Sequence, residues 1–208
     1  MYYGGTNNAA GGSDDALGLK AGLNGVFNGN GFTITGGVYG VGGLLGMVSE
    51  SGVVKNVAFV NAKMSTGGFV GIVAGAFNGK AQNVLVDVTN FDGDAPTSGP
   101  FGYSVMNATF ENVVVYIPDD GVTGNSTYMG AIGYVNRNTM CTNVYVFTNT
   151  EYIFASGSWY EAANAAAHGV SAYGLTANLS STTIGTAGFD ATIWNLTGSK
   201  AVFVEKNA

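Results

Sequence analysis

Short apolar stretches recur through the middle of the chain, and each begins directly after an asparagine. The four asparagines are Asn56, Asn83, Asn112 and Asn143. They are separated by 27, 29 and 31 residues. A polar residue precedes each asparagine, and apolar residues occupy the first and third positions after it; the first of these are Val57, Val84, Val113 and Val144. This alternation predicts a β-strand with one buried face. The asparagine marks a bend, because its side chain tolerates left-handed backbone.

A second apolar signal precedes each asparagine by ten or twelve residues, and it is centred on a glycine. The glycines are Gly46, Gly71, Gly102 and Gly133, and each is flanked by apolar residues on both sides. We expect the flanking side chains to point inward, since they share one face of a strand. The glycine between them is expected to point outward, where its missing side chain permits a close approach or a kink.

Two strand signals in every 27 to 31 residues predict one coil of a parallel β-helix. A repeat of this length that cannot close its own core indicates a stacked architecture, in which successive coils lie about 4.8 Å apart around a shared apolar interior. Stacked asparagines are then expected to form a hydrogen-bonded ladder. With a partial first coil at residues 26–34 and a degenerate last coil at 174–184, the fold class is an all-β, right-handed parallel β-helix of about five to six coils.

The repeat resembles the GLUG family of β-helices. The resemblance lies in Leu44-Leu45-Gly46, Phe69-Val70-Gly71 and Ala131-Ile132-Gly133, each followed by an Asn-Val strand, in the opening at residues 27–34 and in the ending at 189–196. It covers roughly residues 25–200, and the third copy departs from it with Pro100 at a position that is usually Leu-like. The resemblance implies a β-helix on bacterial surfaces or phage particles, with adhesive or structural roles and no catalytic residues.

The stretches outside the regular repeat have their own predicted structure. Residues 1–24 are expected to be a flexible lead or linker, residues 25–200 the β-helix, and residues 201–208 a C-terminal tail. Within an insertion at 151–169, Ser158 and Glu161 form a capping box, an alanine run follows, and Gly169 is a stop signal. This pattern predicts one short helix at residues 159–168.

Composition excludes several classes of protein. Apolar residues make up 46% of the chain, so it is not a disordered tail, while charged residues make up 10%, well below the roughly 25% that is usual. The net charge is −6 and the few cations are not clustered, which argues against nucleic-acid binding and against adsorption to anionic membranes. Cys141 is the single cysteine, so no internal disulfide is expected.

The sequence predicts neither a membrane-spanning segment nor a signal peptide. No run of about 18 apolar residues is present, so no transmembrane helix is predicted. The start at Met1 lacks the basic and apolar parts of a signal peptide. We therefore expect either a fragment of a longer protein or a chain that is made and assembled in the cytoplasm.

Acidic residues supply the only candidate chemistry. If the coils stack in register, five acids fall on loops at one corner: Asp92, Asp94, Asp119, Asp120 and Glu151. Clustered carboxylates of this kind can bind Ca²⁺ or flank a glycosidic bond. Their simpler role is to keep a surface of low charge solvated. We expect no catalytic residue and no cofactor, with Ca²⁺ and a polysaccharide-degrading activity as minor alternatives.

Aromatic residues are the candidates for contact with a partner. Tyr116 and Tyr145 lie outside the inward set of strand positions, and Tyr128 and Trp159 are also expected to be exposed. Tyr39 and Phe77 are further candidates for exposure. Aromatic side chains on an Asn-rich surface are typical of sugar or protein recognition.

These observations favour a non-enzymatic structural or adhesive surface module, foremost a phage virion decoration or fibre protein. A bacterial cell-surface adhesin or a carbohydrate-binding module is the main alternative. The expected partners are other structural subunits, including further copies of this chain, and a glycan or protein of the host surface. The expected location is the virion surface, or the cell surface if the chain is part of a secreted protein.

Overall fold

The computed structural model describes residues 2–3, 22–40, 42–64, 69–91, 97–117, 130–148, 166, 169–173 and 188–204. Within these residues the protein consists of sixteen β-strands joined by turns. In chain order the strands are β1 (Tyr2–Tyr3), β2 (Val26–Thr35), β3 (Val38–Tyr39), β4 (Met47–Val48), β5 (Val53–Met64), β6 (Phe69–Val70), β7 (Ala76–Phe77), β8 (Lys80–Phe91), β9 (Thr97–Ser98), β10 (Gly102–Met106), β11 (Thr109–Tyr116), β12 (Gly133–Arg137), β13 (Met140–Phe147), β14 (Val170–Tyr173), β15 (Trp194–Asn195) and β16 (Val202–Phe203).

The strands form a parallel stack. In the main sheet β2, β5, β8, β11, β13 and β14 lie side by side, each parallel to the next. A second parallel sheet has the order β12-β10-β7-β4. Since the chain alternates between the two sheets, it winds as a β-solenoid of about four turns. The predicted all-β parallel β-helix is confirmed. Five to six coils were predicted, and the proposed last coil at 174–184 lies outside the described residues.

The valine column predicted from the repeat is present. Val57, Val84, Val113 and Val144 are consecutive register partners in the main sheet. Each is at most 1% exposed, and all four belong to one apolar core. Full burial of a valine contributes about 1.5–3 kcal/mol, so the column is a main source of stability. Its neighbours two residues on, Phe59, Val86, Val115 and Val146, are buried in the same core.

The four glycines of the second apolar signal do not all align from coil to coil. Gly102 pairs with Gly133, but the backbone N–H of Gly75, not of Gly71, donates to the carbonyl of Gly46. All four predicted glycines are buried. A Cβ added to Gly133 would lie 2.8 Å from the carbonyl oxygen of Gly102. The backbone of the adjacent coil occupies the space of the missing side chain, so the predicted close approach is correct.

Strands also occur in the stretches predicted to be a lead and a tail. Tyr2–Tyr3 (β1) pairs with Val38–Tyr39 (β3), and Val202–Phe203 (β16) pairs antiparallel with Trp194–Asn195 (β15). Within the stretch named the tail, Phe203 is an apolar side chain that is 6% exposed.

The helix predicted at 159–168 lies outside the described residues except for Ala166, which is helical. Among the residues that the structure describes, no helix has the length and apolar character needed to cross a bilayer.

Candidate functional site

One corner of the solenoid carries the ladder of asparagine side chains that the repeat predicts. The side-chain Nδ2 of each asparagine donates to the Oδ1 of the asparagine one coil earlier. The bonds run from Asn56 to Asn28 at 3.1 Å, from Asn83 to Asn56 at 3.0 Å, from Asn112 to Asn83 at 3.2 Å, and from Asn143 to Asn112 at 3.0 Å. The ladder is confirmed, and the first coil adds Asn28 to it.

Backbone conformation explains why asparagine occupies this corner. At Asn56, Asn83, Asn112 and Asn143 the φ angle is between 52° and 55°, in the left-handed region. Asparagine and glycine adopt this region most readily. Register places Gly169, with a φ of 81°, next to Asn143 in the following coil. Gly169 has no side chain with which to extend the ladder, and a Cβ there would collide with the backbone oxygen of Cys141.

A second, shorter ladder was not predicted. Asn138 donates from Nδ2 to Oδ1 of Asn107 at 3.1 Å, and both residues have a φ near 52° (53° at Asn107 and 51° at Asn138). Asn107 in turn lies 3.5 Å from Glu50. The two asparagines are 31 residues apart, the same step as from Asn112 to Asn143 in the main ladder. That shared spacing was the available signal.

Strands β5, β8, β11 and β13 bury their outer face as well as their inner one. The residues between the two inward positions stack in a column of their own: Ala58, Leu85, Val114 and Tyr145. None of them is more than 7% exposed. Together with Tyr116, Phe147, Trp194, Ala201 and Phe203 they form a second apolar core, which we call the outer cluster. Strands buried on both faces are apolar at successive positions, as residues 113–117 are.

The cover of this outer face is the C-terminal part of the chain. We call residues 188–204 the strap. Within the strap, Trp194 packs edge-on against Phe189 and Phe203, with ring centroids 5.1 and 4.7 Å away. On the solenoid side, the ring of Phe189 lies 5.9 Å from that of Tyr145. The strap therefore seals an apolar sheet face that would otherwise be open to water.

Polar contacts fix the position of the strap. The carbonyl of Gly188 accepts from Nδ2 of Asn112 at 2.7 Å. The backbone N–H of Ala201 donates to the buried hydroxyl of Tyr116, also at 2.7 Å. Lys200 lies 3.2 Å from both carboxylate oxygens of Asp87 and 4.8 Å from the centre of the Tyr116 ring. The Lys200 contacts are exposed, so they contribute little compared with the burial of the aromatic rings.

Four of the proposed contact residues are buried, so the prediction of exposure is wrong for them. Tyr116 and Tyr145 are 4% and 7% exposed, and Tyr39 and Phe77 are fully buried. Tyr116 and Tyr145 do lie outside the inward set, but the strap covers them. Tyr128 and Trp159 lie outside the described residues.

The proposed Ca²⁺ corner is not tested by the described part of the chain, since Asp92, Asp94, Asp119, Asp120 and Glu151 all fall outside it. In the part that the structure does describe, no three His, Cys, Asp or Glu side chains are grouped to hold a metal ion. Lys80 and Glu111 form an ion pair of 2.6 Å between adjacent coils. Both side chains are more than a third exposed, so the pair contributes about 0–1 kcal/mol.

The strap carries an open, mainly apolar cavity of about 340 Å³. Its lining combines aromatic and aliphatic side chains with two polar ones, namely Phe189, Ala191, Trp194, Asn195, Leu196, Thr197 and Val204. The Oδ1 of Asn195 accepts from the backbone N–H and the hydroxyl of Thr197, at 3.1 and 2.7 Å. These bonds hold the polar side of the cavity in place.

Two titratable side chains are shifted by burial. Loss of hydration raises the pKa of the Tyr116 hydroxyl well above its usual range; the hydrogen bond from Ala201 opposes this shift and the charge of Asp87 adds to it. Burial raises the pKa of the Cys141 thiol to about 12. A thiol with such a pKa is almost entirely protonated at neutral pH, and is therefore a poor nucleophile.

Comparisons with known proteins return no matching family model, no matching curated protein and no matching solved structure.

Proposed function

We propose that this chain is a structural or adhesive surface module of the GLUG-repeat type, and specifically a phage virion decoration or fibre protein. It acts through its shape. A stiff prism holds its loops at fixed positions and makes contact with neighbouring subunits or with a host surface. The chemistry is that of recognition and packing, and no bond in a partner is broken.

The observation that carries this proposal is the double burial of the main sheet beside a continuous ladder. Val113 faces the inner core, and Val114 on the opposite face lies in the outer cluster. Asn112 joins the two neighbouring coils through its side chain. Close-packed faces and a hydrogen-bonded corner make a prism rigid. Rigidity of this kind suits a particle surface better than a site that must open and close.

Location tests the proposal directly. Antibodies against the recombinant chain should label intact virions in immuno-electron microscopy, and the chain should copurify with particles through a density gradient. The same preparation should release no reducing sugar from a broad panel of polysaccharides. Label confined to the bacterial cell surface would mean that the chain is a bacterial adhesin and not a virion protein. Label confined to the cell interior, or hydrolysis of any polymer, would refute a surface module.

Carbohydrate binding is the second candidate, and the strap cavity favours it. Its apolar wall of Phe189 and Leu196 stands beside the polar groups of Asn195 and Thr197. Sugar rings present an apolar face and a polar rim, so such a lining is suited to them. The residues first proposed for this role, Tyr116 and Tyr145, are buried and cannot provide it.

A matched pair of variants tests this second candidate on a glycan array. Val204 lines the cavity and is 37% exposed, whereas Met140 is 66% exposed on β13, outside the cavity lining. Val204→Asp should abolish binding to any glycan that the parent protein captures, and Met140→Asp should leave it unchanged. A parent protein that binds no glycan, or equal loss in both variants, would rule the cavity out as a sugar site.

A further inference from the structure

A solenoid has a weakness that follows from its topology. Each coil contacts only the coils directly before and after it. The end coils therefore have one neighbour, and they can open without disturbing the middle of the stack. In this protein the ladder and the paired strands are contacts of this nearest-neighbour kind, because within the stack Asn83 bonds to the asparagines of the two adjacent coils.

The strap makes contacts of a different kind, because one short segment reaches five successive strands. Near one end of the stack, one strand before β14, Phe189 contacts Tyr145 of β13. Further along, Gly188 bonds to Asn112 of β11 and Trp194 bonds to Asn83 of β8. Ala58 of β5 is packed in the outer cluster with the strap residues, and β16 contacts β2 at the other end.

We propose that the strap is a latch that couples non-adjacent coils, so that the end coils cannot open until the strap is released. Opening of β13 alone would break its contact with Phe189, and Phe189 is itself packed on Trp194. Trp194 is packed on Phe203, which belongs to the strand that touches β2. Strands β13 and β2, which lie near opposite ends of the stack, are thus joined through three strap residues, Phe189, Trp194 and Phe203, as well as through the coils between them.

The contacts of the strap indicate that it couples the coils and does not only cover the outer face of the main sheet. Trp194 and Phe203 of the strap are 3% and 6% exposed, so they are as buried as core residues. The hydrogen bonds from Asn112 and Trp194 connect it to the ladder, which is the element that passes through the whole stack.

Native-state hydrogen exchange of the full chain tests the latch. In the parent protein the amides of β2, β8 and β13 should exchange with similar protection. In Trp194→Ala, the amides of β2 and β13 should lose at least tenfold more protection than those of β8. Val202→Thr is the matched control, because Val202 is 46% exposed on the same hairpin, and its amide protection should stay at the parent level in all three strands.

Milder variants keep the test decisive if Trp194→Ala fails to fold. Trp194→Phe retains an aromatic ring and removes the N–H that bonds Asn83, and Tyr116→Phe removes only the hydroxyl that accepts from Ala201. Each should show the same end-specific loss, reduced to about threefold. Equal loss of protection in β2, β8 and β13, or no loss in any of them, would show that the strap is a passive cover and would overturn the proposal.

Discussion

The indole Nε1 of Trp194 lies 3.4 Å from the side-chain oxygen of Asn83, although the two residues are 111 positions apart. The same oxygen also accepts from Nδ2 of Asn112 in the next coil. Asn83 is therefore the point at which the ladder, the turn of the backbone and the strap meet. Its side chain bonds to three others, two in the stack and one in the cover.

This convergence predicts that Asn83 is the most sensitive position of the ladder. Asn83→Ala removes the three side-chain hydrogen bonds of Asn83. It also places alanine, whose side chain cannot form a hydrogen bond, at a φ of 52°. Each net hydrogen bond is worth about 0.5–1.5 kcal/mol, and left-handed backbone costs alanine about 1–2 kcal/mol. We expect a loss of about 3 kcal/mol in the free energy of unfolding, measured in urea.

Asn83→Gly is the control that separates the two causes. Glycine adopts the left-handed conformation freely but has no side chain to bond. The Asn83→Gly variant should therefore be about 1 kcal/mol more stable than Asn83→Ala and still less stable than the parent protein. Equal stability of the two variants would mean that backbone conformation has no part in the choice of asparagine.

Leu85 distinguishes a covered sheet face from an open one. It points away from the inner core, yet it is 1% exposed because the strap lies over it. Leu85→Ala should lower the free energy of unfolding by about 2–5 kcal/mol, as for a core leucine. Val26→Ala, at a site that is 60% exposed, should change it by less than about 0.5 kcal/mol. Similar small effects at both positions would mean that the strap does not cover this face in solution.

The stack could be derived from the sequence, but the strap could not, and the reason is the range of the signals. Val57 and Val84 repeat a local pattern at a nearly constant step, so period and residue type together predict their alignment. Gly71 was misaligned because strands of two residues have too little pattern to set a register when the turns beside them differ in length. Trp194 meets Asn83 through a contact that has no local signature in either segment.

Because the Cys141 thiol is buried, we expect the free energy of unfolding to fall at alkaline pH. Its pKa is raised from 9.0 to about 12 in the folded protein. Below pH 9 the thiol is protonated in both states, and stability is unaffected. As pH rises from 9 toward 12, the unfolded chain releases the proton and the folded protein retains it, so the free energy of unfolding falls by up to about 1.4 kcal/mol per pH unit.

The Cys141→Ala variant isolates this contribution from the other groups that titrate at alkaline pH. Urea unfolding between pH 8 and 11 should show a shallower decline in the variant than in the parent protein. Tyr116, whose pKa is also raised, contributes with the same sign in both proteins. Identical slopes would mean that Cys141 ionises as easily in the folded protein as in the unfolded chain.

Gly133 tests the close approach of neighbouring coils, and the chain supplies its own controls. A Cβ at Gly133 would lie 2.5 Å from a methyl carbon of Val105 and 2.8 Å from the carbonyl oxygen of Gly102. Neither neighbour can withdraw, because Val105 is fully buried and Gly102 is paired in the sheet. Gly133→Ala should therefore lower the free energy of unfolding by about 1–3 kcal/mol.

Gly198 and Gly25 are the controls. At Gly198 the atom nearest to an added Cβ is 3.6 Å away, and at Gly25 no atom lies within 4 Å. Alanine at either control site should be neutral, or stabilising by about 0.4–1 kcal/mol through the unfolded chain. If Gly133→Ala were as stable as these two controls in a thermal melt, the coils would be farther apart than the structure places them.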